Sequence, residues 1–166
     1  VHIAADMRSA AQHSIDRDVM ASEWLKGVGD GVAGYVTPKV AIGAVVGNDA
    51  GEILLVQRSD TGHWLYPTGW ADVGYSPAEV AVKEVLEETG YRPGKLLRLG
   101  GFFPVNGISP HRAELYAALD CAAVRAPEPG PCERFSVHVQ SERDVRRRLT
   151  RGDYADGFTA LALFYY

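Results

Sequence analysis

The sequence predicts a single domain of α/β (α+β) class, a mixed β-sheet covered by helices, and three observations carry that expectation. Short apolar runs with strand-like alternation crowd the middle of the chain, and helical segments with clear start and stop signals punctuate them. A chain of 166 residues with 46% hydrophobic side chains can also bury one sizeable core without disulfides or a structural metal.

The elements follow in order. Residues 3–26 are rich in Ala, Met, Ser and charged side chains without Pro or Gly, which suits a helix; Gly27, Gly29, Gly31 and Gly34 then read as a linker. Residues 1–37 are therefore expected to be a helical extension with a glycine-rich linker, and residues 38–166 the main domain. Val40 to Val46 is the first strand, Asn48 to Gly51 a turn, and Ile53 to Gln57 the hairpin partner. Asp60 to His63 reads as loop and Trp64-Leu65-Tyr66 as a short extended piece closed by Pro67. Ser76-Pro77-Ala78-Glu79 combines an N-cap, Pro at the first helical position and an acid placed to reach back to the cap, and Gly90 supplies the stop. In between, Ala78, Ala81, Val82 and Val85 share one face, while Glu84, Glu87 and Glu88 share roughly the opposite one. Leu96 to Val105 and Glu114 to Cys121 read as strands around a polar loop holding Gly107, Pro110, His111 and Arg112. Residues 126–131 form a Pro-rich loop, and Phe135 to Val139 alternates like another strand. Ser141 to Thr150 is helical, and Tyr154 to Tyr166 is a final helix with Gly157 as its weak point.

Charge and cysteine usage narrow the function classes. With 17 basic against 21 acidic side chains, a net charge of -4 and no sustained basic block, the chain does not read as a protein that coats nucleic-acid phosphates. Small phosphorylated ligands remain open, because a metal ion can supply the positive charge. Cys121 and Cys132 fit neither a zinc set nor a dense disulfide pattern, so a reduced, cytoplasmic setting is expected. Asp6, Arg8, Asp16, Arg17 and Asp18 interrupt any secretory core near the start, and no run approaches the roughly 20 apolar residues of a membrane span.

The chemistry concentrates on the helix that starts at Ser76. Glu84, Glu87 and Glu88 repel at i, i+3 and i+4, at a cost of about 0.2 to 0.5 kcal/mol per pair, unless something positive binds among them. Hard divalent cations prefer carboxylate, carbonyl, water and phosphate oxygens, so the three acids with a backbone carbonyl form an open site for Mg²⁺ or Mn²⁺. The alternative is a solvated acidic face. Trp64, Tyr66 and Trp70 offer either core or a stacking surface for a base. His63 and His111 read as loop residues, and Arg143, Arg146, Arg147, Arg148 and Arg151 as a solvated basic helix from which one guanidinium can reach a phosphate.

From Gly69 to Tyr91 the chain resembles the loop-helix-loop signature of the Nudix hydrolases, G-x5-E-x7-R-E-U-x-E-E-x-G-U, where U is a bulky apolar residue. Gly69, Glu84, Val85, Glu87, Glu88, Gly90 and Tyr91 fall at the signature spacing. Tyr75 stands where the first Glu is usual and Lys83 where Arg is usual, and Lys offers a point charge in place of a fork. Both departures are similar to bacterial CDP-choline pyrophosphatases, as is Tyr35 to Val40. Phe103 to Gly107 with Glu114 to Tyr116, and Arg151 to Leu161, are similar to ADP-ribose pyrophosphatases, although Asn106 sits where that group usually has Pro.

The resemblance implies a Nudix fold, with a mixed sheet sandwiched between helices and a short N-terminal helical extension. It implies a metal site from the Gly69 carbonyl, Glu84, Glu87 and Glu88, with Glu87 and Glu84 catalytic and Lys83 orienting a glutamate. A base from a late loop corresponds to Glu133, with Glu114 and Glu128 as competitors; Arg112, Tyr66 and Trp70 are the substrate-binding candidates. The implied reaction is Mg²⁺- or Mn²⁺-dependent hydrolysis of a nucleoside diphosphate linked to another moiety, such as CDP-choline, ADP-ribose or a nucleotide sugar, releasing a nucleoside monophosphate. A cytoplasmic homodimer acting on a small molecule, with no nucleic-acid or membrane partner, is the expected setting. The alternatives are a nucleoside triphosphate pyrophosphatase and a non-hydrolysing, nucleotide-sensing module.

Overall fold

The computed structural model describes residues 40–72, 74–107, 111–128 and 134–166. The helix expected over residues 3–26, its linker and loop residues 129–133 lie outside these. β1 (Val40–Gly47) and β2 (Glu52–Arg58) form the expected hairpin. Asn48 sets the turn: its Oδ1 accepts from the Ala50 and Glu52 amides at 3.0 and 3.1 Å, and Gly51 takes a φ of 72° that glycine adopts without steric cost.

Past the turn the strands diverge after pairing Val46 with Leu54 and Gly47 with Ile53. Two short strands fill the gap. β3 (Trp64–Leu65) pairs with β2, and β4 (Thr68–Trp70) pairs with residues 41–43 of β1. Gly43 permits the connection between them to cross closely, since a Cβ there would strike the Tyr66 ring and the Pro67 carbonyl. The helix α1 (Pro77–Thr89) and the small strand β5 (Tyr91–Arg92) follow. β6 (Lys95–Phe102) runs antiparallel to β7 (Arg112–Leu119), which returns parallel to β1 over seven residue pairs. β8 (Ala122–Ala123) pairs with β5, and β9 (Phe135–Ser141) pairs antiparallel with β2. α2 (Glu142–Thr150) and α3 (Gly157–Tyr165) complete the order.

The sheet lies between helices, with a core on each face. Ile42, Ala44 and Val46 of β1, with Tyr116 and Ala118 of β7, pack against Val80, Ala81 and Val85 of α1. Val45, Ile53, Leu55 and Leu115 project the other way and pack with Tyr66, Val145 of α2, and Ala162 and Leu163 of α3. The period-2 alternation of β1 and β7 sorts these two sets, and each fully buried aliphatic contributes about 1.5 to 3 kcal/mol.

Several boundaries differ from those read in the sequence, for local reasons. β6 ends at Phe102 rather than Val105, because Phe102 opposite Ala113 is its last paired residue and Pro104 has no N–H to extend the ladder. β7 runs from Arg112 to Leu119 rather than from Glu114 to Cys121; Asp120 adopts a φ of 52°, which breaks the extended chain. α3 starts at Gly157 rather than Tyr154, with Asp156 as N-cap accepting from the Thr159 amide at 2.7 Å. Gly157 is thus in the first turn, where it weakens little. β4, β5 and β8 are two or three residues long and have no period of their own to read. No helix among the described residues is long and apolar enough to cross a membrane.

Candidate active site

α1 begins with a reciprocal cap: the Ser76 hydroxyl accepts from the Glu79 amide at 3.3 Å and the Glu79 carboxylate accepts from the Ser76 amide at 2.7 Å. It ends at Gly90 in the left-handed conformation. Its rotation between these ends differs from the sequence reading. Val80 is fully buried and Ala78 is exposed, so the stripe facing the sheet runs through positions 80, 81, 84, 85 and 88. Two of the three acids therefore share the packed side: Glu84 is half-buried and Glu88 is only 6% exposed, whereas Glu87 lies half-buried at the margin. Carboxylates in a stripe normally occupied by aliphatics need compensating partners, since burying a charge is costly unless it is paired.

The position of Glu84 is set by a glycine. A Cβ built on Gly69 of β4 would overlap the Glu84 carboxylate, so the absent side chain is the space in which that carboxylate rests. Gly69 is in register with Ile42 of β1, and Ile42 is in register with Glu114 of β7. Gly69, Ile42 and Glu114 thus form one row across the face that α1 covers.

Lys83 reaches away from this row. Its Nζ pairs with Asp72 Oδ2 at 2.5 Å and sits 5.7 Å from the Tyr75 ring centroid. Burial acts to lower its pKa, but the hydrogen bond and charge of Asp72, with Glu87 and Glu84 behind them, raise it on balance. Lys83 was expected to orient a glutamate; its direct partner is instead Asp72 on the preceding loop, with Glu84 and Glu87 acting on it only through their charge, and spacing on the helix does not reveal that partner.

At the far end of the row Glu114 is 12% exposed and held by two arginines. Arg98 donates from Nε at 3.0 Å and places a second nitrogen 2.8 Å from the same oxygen, Oε2; Arg112 donates from Nε to Oε1 at 2.6 Å. Arg98 carries no sequence signal beyond being a cation between leucines on a strand.

Residues 37–154 match the NUDIX domain family. The chain belongs to the Nudix family. Over 93 residues it is 36% identical to YjhB of Bacillus subtilis (strain 168), provisionally named an ADP-ribose pyrophosphatase, a match covering 55% of this chain and 44% of that protein. It is 38% identical over 93 residues to nucleoside diphosphate-linked moiety X motif 6 of Xenopus laevis, covering 54% of this chain and 43% of that one. The chain spans less than half the length of both relatives. Among solved structures, an ADP compounds hydrolase superposes with a TM-score of 0.62 at 20% identity, covering 76% of this chain and 69% of the other. A NUDIX hydrolase from Nitrosomonas europaea gives 0.59 at 18% identity, covering 78% and 88%. These likenesses agree with the mixed sheet between helices described above.

Against this Nudix frame, the other sequence-derived candidates divide. Among the described residues no three His, Cys, Asp or Glu side chains gather as a ready metal-ligand set. The donors nonetheless suit a hard divalent ion in kind: all are oxygens, the Glu84 carboxylate rests where Gly69 has no side chain, and Glu88 is buried on the same side of α1. Tyr66 is fully buried in the core beneath α3, so it is placed to pack and not to stack on a substrate. Burial pushes its hydroxyl up to about 12; the Thr68 hydrogen bond opposes this, and the charges of Asp156 and Glu88 add to it. Trp70 alternates to the face opposite Gly69, where its ring lies 4.9 Å from His111 and His111 lies 5.5 Å from Phe158 of α3. It is therefore separated from the helix acids by the thickness of the sheet. Arg112 stays on the acid-bearing side through Glu114.

Glu133, the proposed base, lies outside the described residues. Glu128 is exposed and paired with Arg125 at 2.6 Å. Arg148 departs from the solvated reading of its helix: its guanidinium stacks 4.7 Å from Trp64 and 5.1 Å from Tyr154 and donates to Gln140 at 2.9 Å. Cys121 is half-buried just beyond β7, its thiol pushed up to about 11 by burial and by Asp120.

Proposed function

We propose that the chain hydrolyses the diphosphate linkage of a nucleoside diphosphate joined to another moiety, releasing a nucleoside monophosphate, with Mg²⁺ or Mn²⁺. The observation that carries this reading is the seating of the Glu84 carboxylate over Gly69, with Glu88 buried one turn further along the same helix. Carboxylates on the sheet-facing side of α1, one of them seated against a strand glycine, supply hard oxygen donors of the kind a divalent cation takes. Membership of the Nudix family supports the same reading.

In this mechanism Glu84, Glu87 and Glu88, with the Gly69 carbonyl, hold the divalent ion. Held there, such an ion would supply positive charge against the phosphates and Lewis acidity toward water. Lys83, tied to Asp72, keeps a positive charge beside Glu84 and Glu87 and limits their mutual repulsion. Glu114 is a poor base, since both of its oxygens already accept arginine N–H groups. Glu133 remains the candidate for proton removal. The names of the relatives support ADP-ribose and related nucleoside diphosphates as substrates, and the Tyr75 and Lys83 pattern supports CDP-choline. The acidic charge balance supports a small-molecule substrate over a nucleic acid, and a cytoplasmic homodimer is the setting this reading supposes.

A panel of CDP-choline, ADP-ribose, nucleotide sugars and nucleoside triphosphates, assayed with each metal, tests the proposal. Release of a nucleoside monophosphate from a diphosphate-linked compound is the expected result. Preferential release of pyrophosphate from triphosphates would shift the substrate class. No turnover of any compound, with tight binding of one, would replace the enzyme by a nucleotide sensor.

A further inference from the structure

The cluster of Arg98, Glu114 and Arg112 is not used by the chemistry above, and its construction is unusual for a sheet. Glu114 occupies a face position between Ile42 and Gly101 in register, where a β-branched or aromatic side chain would pack at no electrostatic cost. It is nearly buried, yet each of its partners is about half exposed, Arg98 at 54% and Arg112 at 42%. Gly101 leaves the cluster its space, because a Cβ there would come within 3.1 Å of Glu114 Oε1 and 3.2 Å of an Arg112 nitrogen. The Phe103 ring, 5.5 Å from the Arg112 guanidinium carbon, supports that arm from the other side.

The charge count leaves one carboxylate against two guanidinium groups, a net positive unit. Each arginine has five N–H donors, of which Glu114 takes Nε and one further nitrogen from Arg98 and Nε from Arg112. The remaining donors are on the half-exposed ends. Glu114 and Gly69 are two strand spacings apart across the sheet, roughly 10 Å, so the arginines stand beside the carboxylate helix on the same face.

We propose that Arg98 and Arg112 are a two-armed grip for the anionic part of the substrate next to the helix acids, and that Glu114 is the positioning residue that holds both arms. The inference rests on the diphosphate reading above; Arg112 is already a substrate-binding candidate by resemblance, and Arg98 and Glu114 are what the inference adds. A tethered pair of guanidinium groups accepts a phosphate with little loss of side-chain freedom, and it places positive charge on the side of the site that the helix acids do not serve.

Titration of the full chain with inorganic pyrophosphate in EDTA tests this without turnover. Arg98→Ala and Arg112→Ala, both at half-exposed positions, should each weaken binding about tenfold, the loss of one charge-assisted hydrogen-bond pair. Arg146→Ala on α2 should leave it unchanged. Glu114 separates positioning from simple charge. If it only dampened the positive field, Glu114→Ala would tighten pyrophosphate binding; if it holds the arms, the two arginines repel and splay, and binding weakens. Glu114→Gln keeps an oxygen acceptor and should restore part of the loss, and it keeps the test open should the alanine variant fail to fold. With a turned-over substrate, KM should rise in these variants while kcat changes much less. Wild-type affinity in both arginine variants, or tighter binding in Glu114→Ala and Glu114→Gln, would overturn the grip. Pyrophosphate binding that depends on the arginines in a chain that hydrolyses nothing would sink the proposed reaction alone.

Discussion

α1 and α2 are capped in the same way and charged in opposite ways. Both begin on a serine whose hydroxyl accepts from an amide three residues on, Ser76 from Glu79 and Ser141 from Asp144. In α2 the charges follow the helix dipole: Glu142 and Asp144 lie in the first turn, Arg147 and Arg148 in the last, and Arg146 and Arg147 pair with acids one turn back at 2.7 and 2.9 Å. In α1 the last turn holds no basic residue and carries Glu87 and Glu88 at the negative end of the dipole, with Glu84 and Glu88 turned to the sheet. The charges of α2 serve the helix that bears them. In α1 Glu79 serves the cap, but Glu87 and Glu88 stand against the dipole, a difference that the proposed ligand site would account for.

That contrast can be broken by experiment. The largest effect expected is on turnover: Glu84→Gln should lower kcat/KM by a factor of about 100 or more, about 2.7 kcal/mol, while the melting temperature in EDTA stays equal or rises. Gly69→Ala should lose activity to a similar extent, since its new methyl group occupies the place of the Glu84 carboxylate. Full activity in either variant would make the α1 acids ordinary surface charge.

Next in size is the response to metal. Manganese at a hundred times its dissociation constant should stabilise the fold by about 2.7 kcal/mol, seen as a rise in denaturation midpoint, and a Glu84→Gln, Glu87→Gln double variant should lose that rise. A melting curve of the wild type that ignores the metal would count against the site.

On the other side of the sheet the expected sensitivity is to alkali. Burial raises the folded pKa of Tyr66 from about 10 to about 12, so its contribution is fully present below pH 10 and is lost as pH climbs through 12, about 2.7 kcal/mol in all. Tyr116, Tyr154 and Tyr166 are raised by burial as well, and Tyr66→Phe should flatten the largest single part of the slope in alkaline unfolding curves. The smallest effect belongs to α2. Arg146→Ala, which removes an exposed pair with Glu142, should cost no more than about 0.5 kcal/mol and leave kcat/KM alone.

How much of this was legible in the sequence depends on whether the deciding interaction was local. The hairpin turn at Asn48, the cap at Ser76 and the stop at Gly90 are contained within a few residues, and all three appear where the sequence places them. The spacing of Glu84, Glu87 and Glu88 was equally plain. Their depth was not, because the choice between Ala78 and Val80 as the inward residue turns on how α1 rests on β1 and β4. Trp70 was read as either core or a stacking surface for a base; its neighbour Gly69 pairs with Ile42, and that register sends the indole to the face opposite the acids. The cluster around Glu114 joins residues 98, 112 and 114 through the β6–β7 pairing, and its irregularity between Arg98 and Gly100 follows no periodicity that a sequence displays.

The pairing of β1 also constrains how the molecule comes into being. Its local partner, β2, contributes two residue pairs, whereas β4 contributes three and the distant β7 seven. During synthesis, then, the central strand is made early and waits for some seventy further residues before its longest ladder can close, a high-contact-order arrangement that favours slow, concerted folding. Gly69 lies on one of those partners and Glu114 on the other. A nascent chain with an open sheet has neither the acids' seat nor the arginine tether, so catalytic competence should arrive in one step with the closure of the sheet and not accumulate before it.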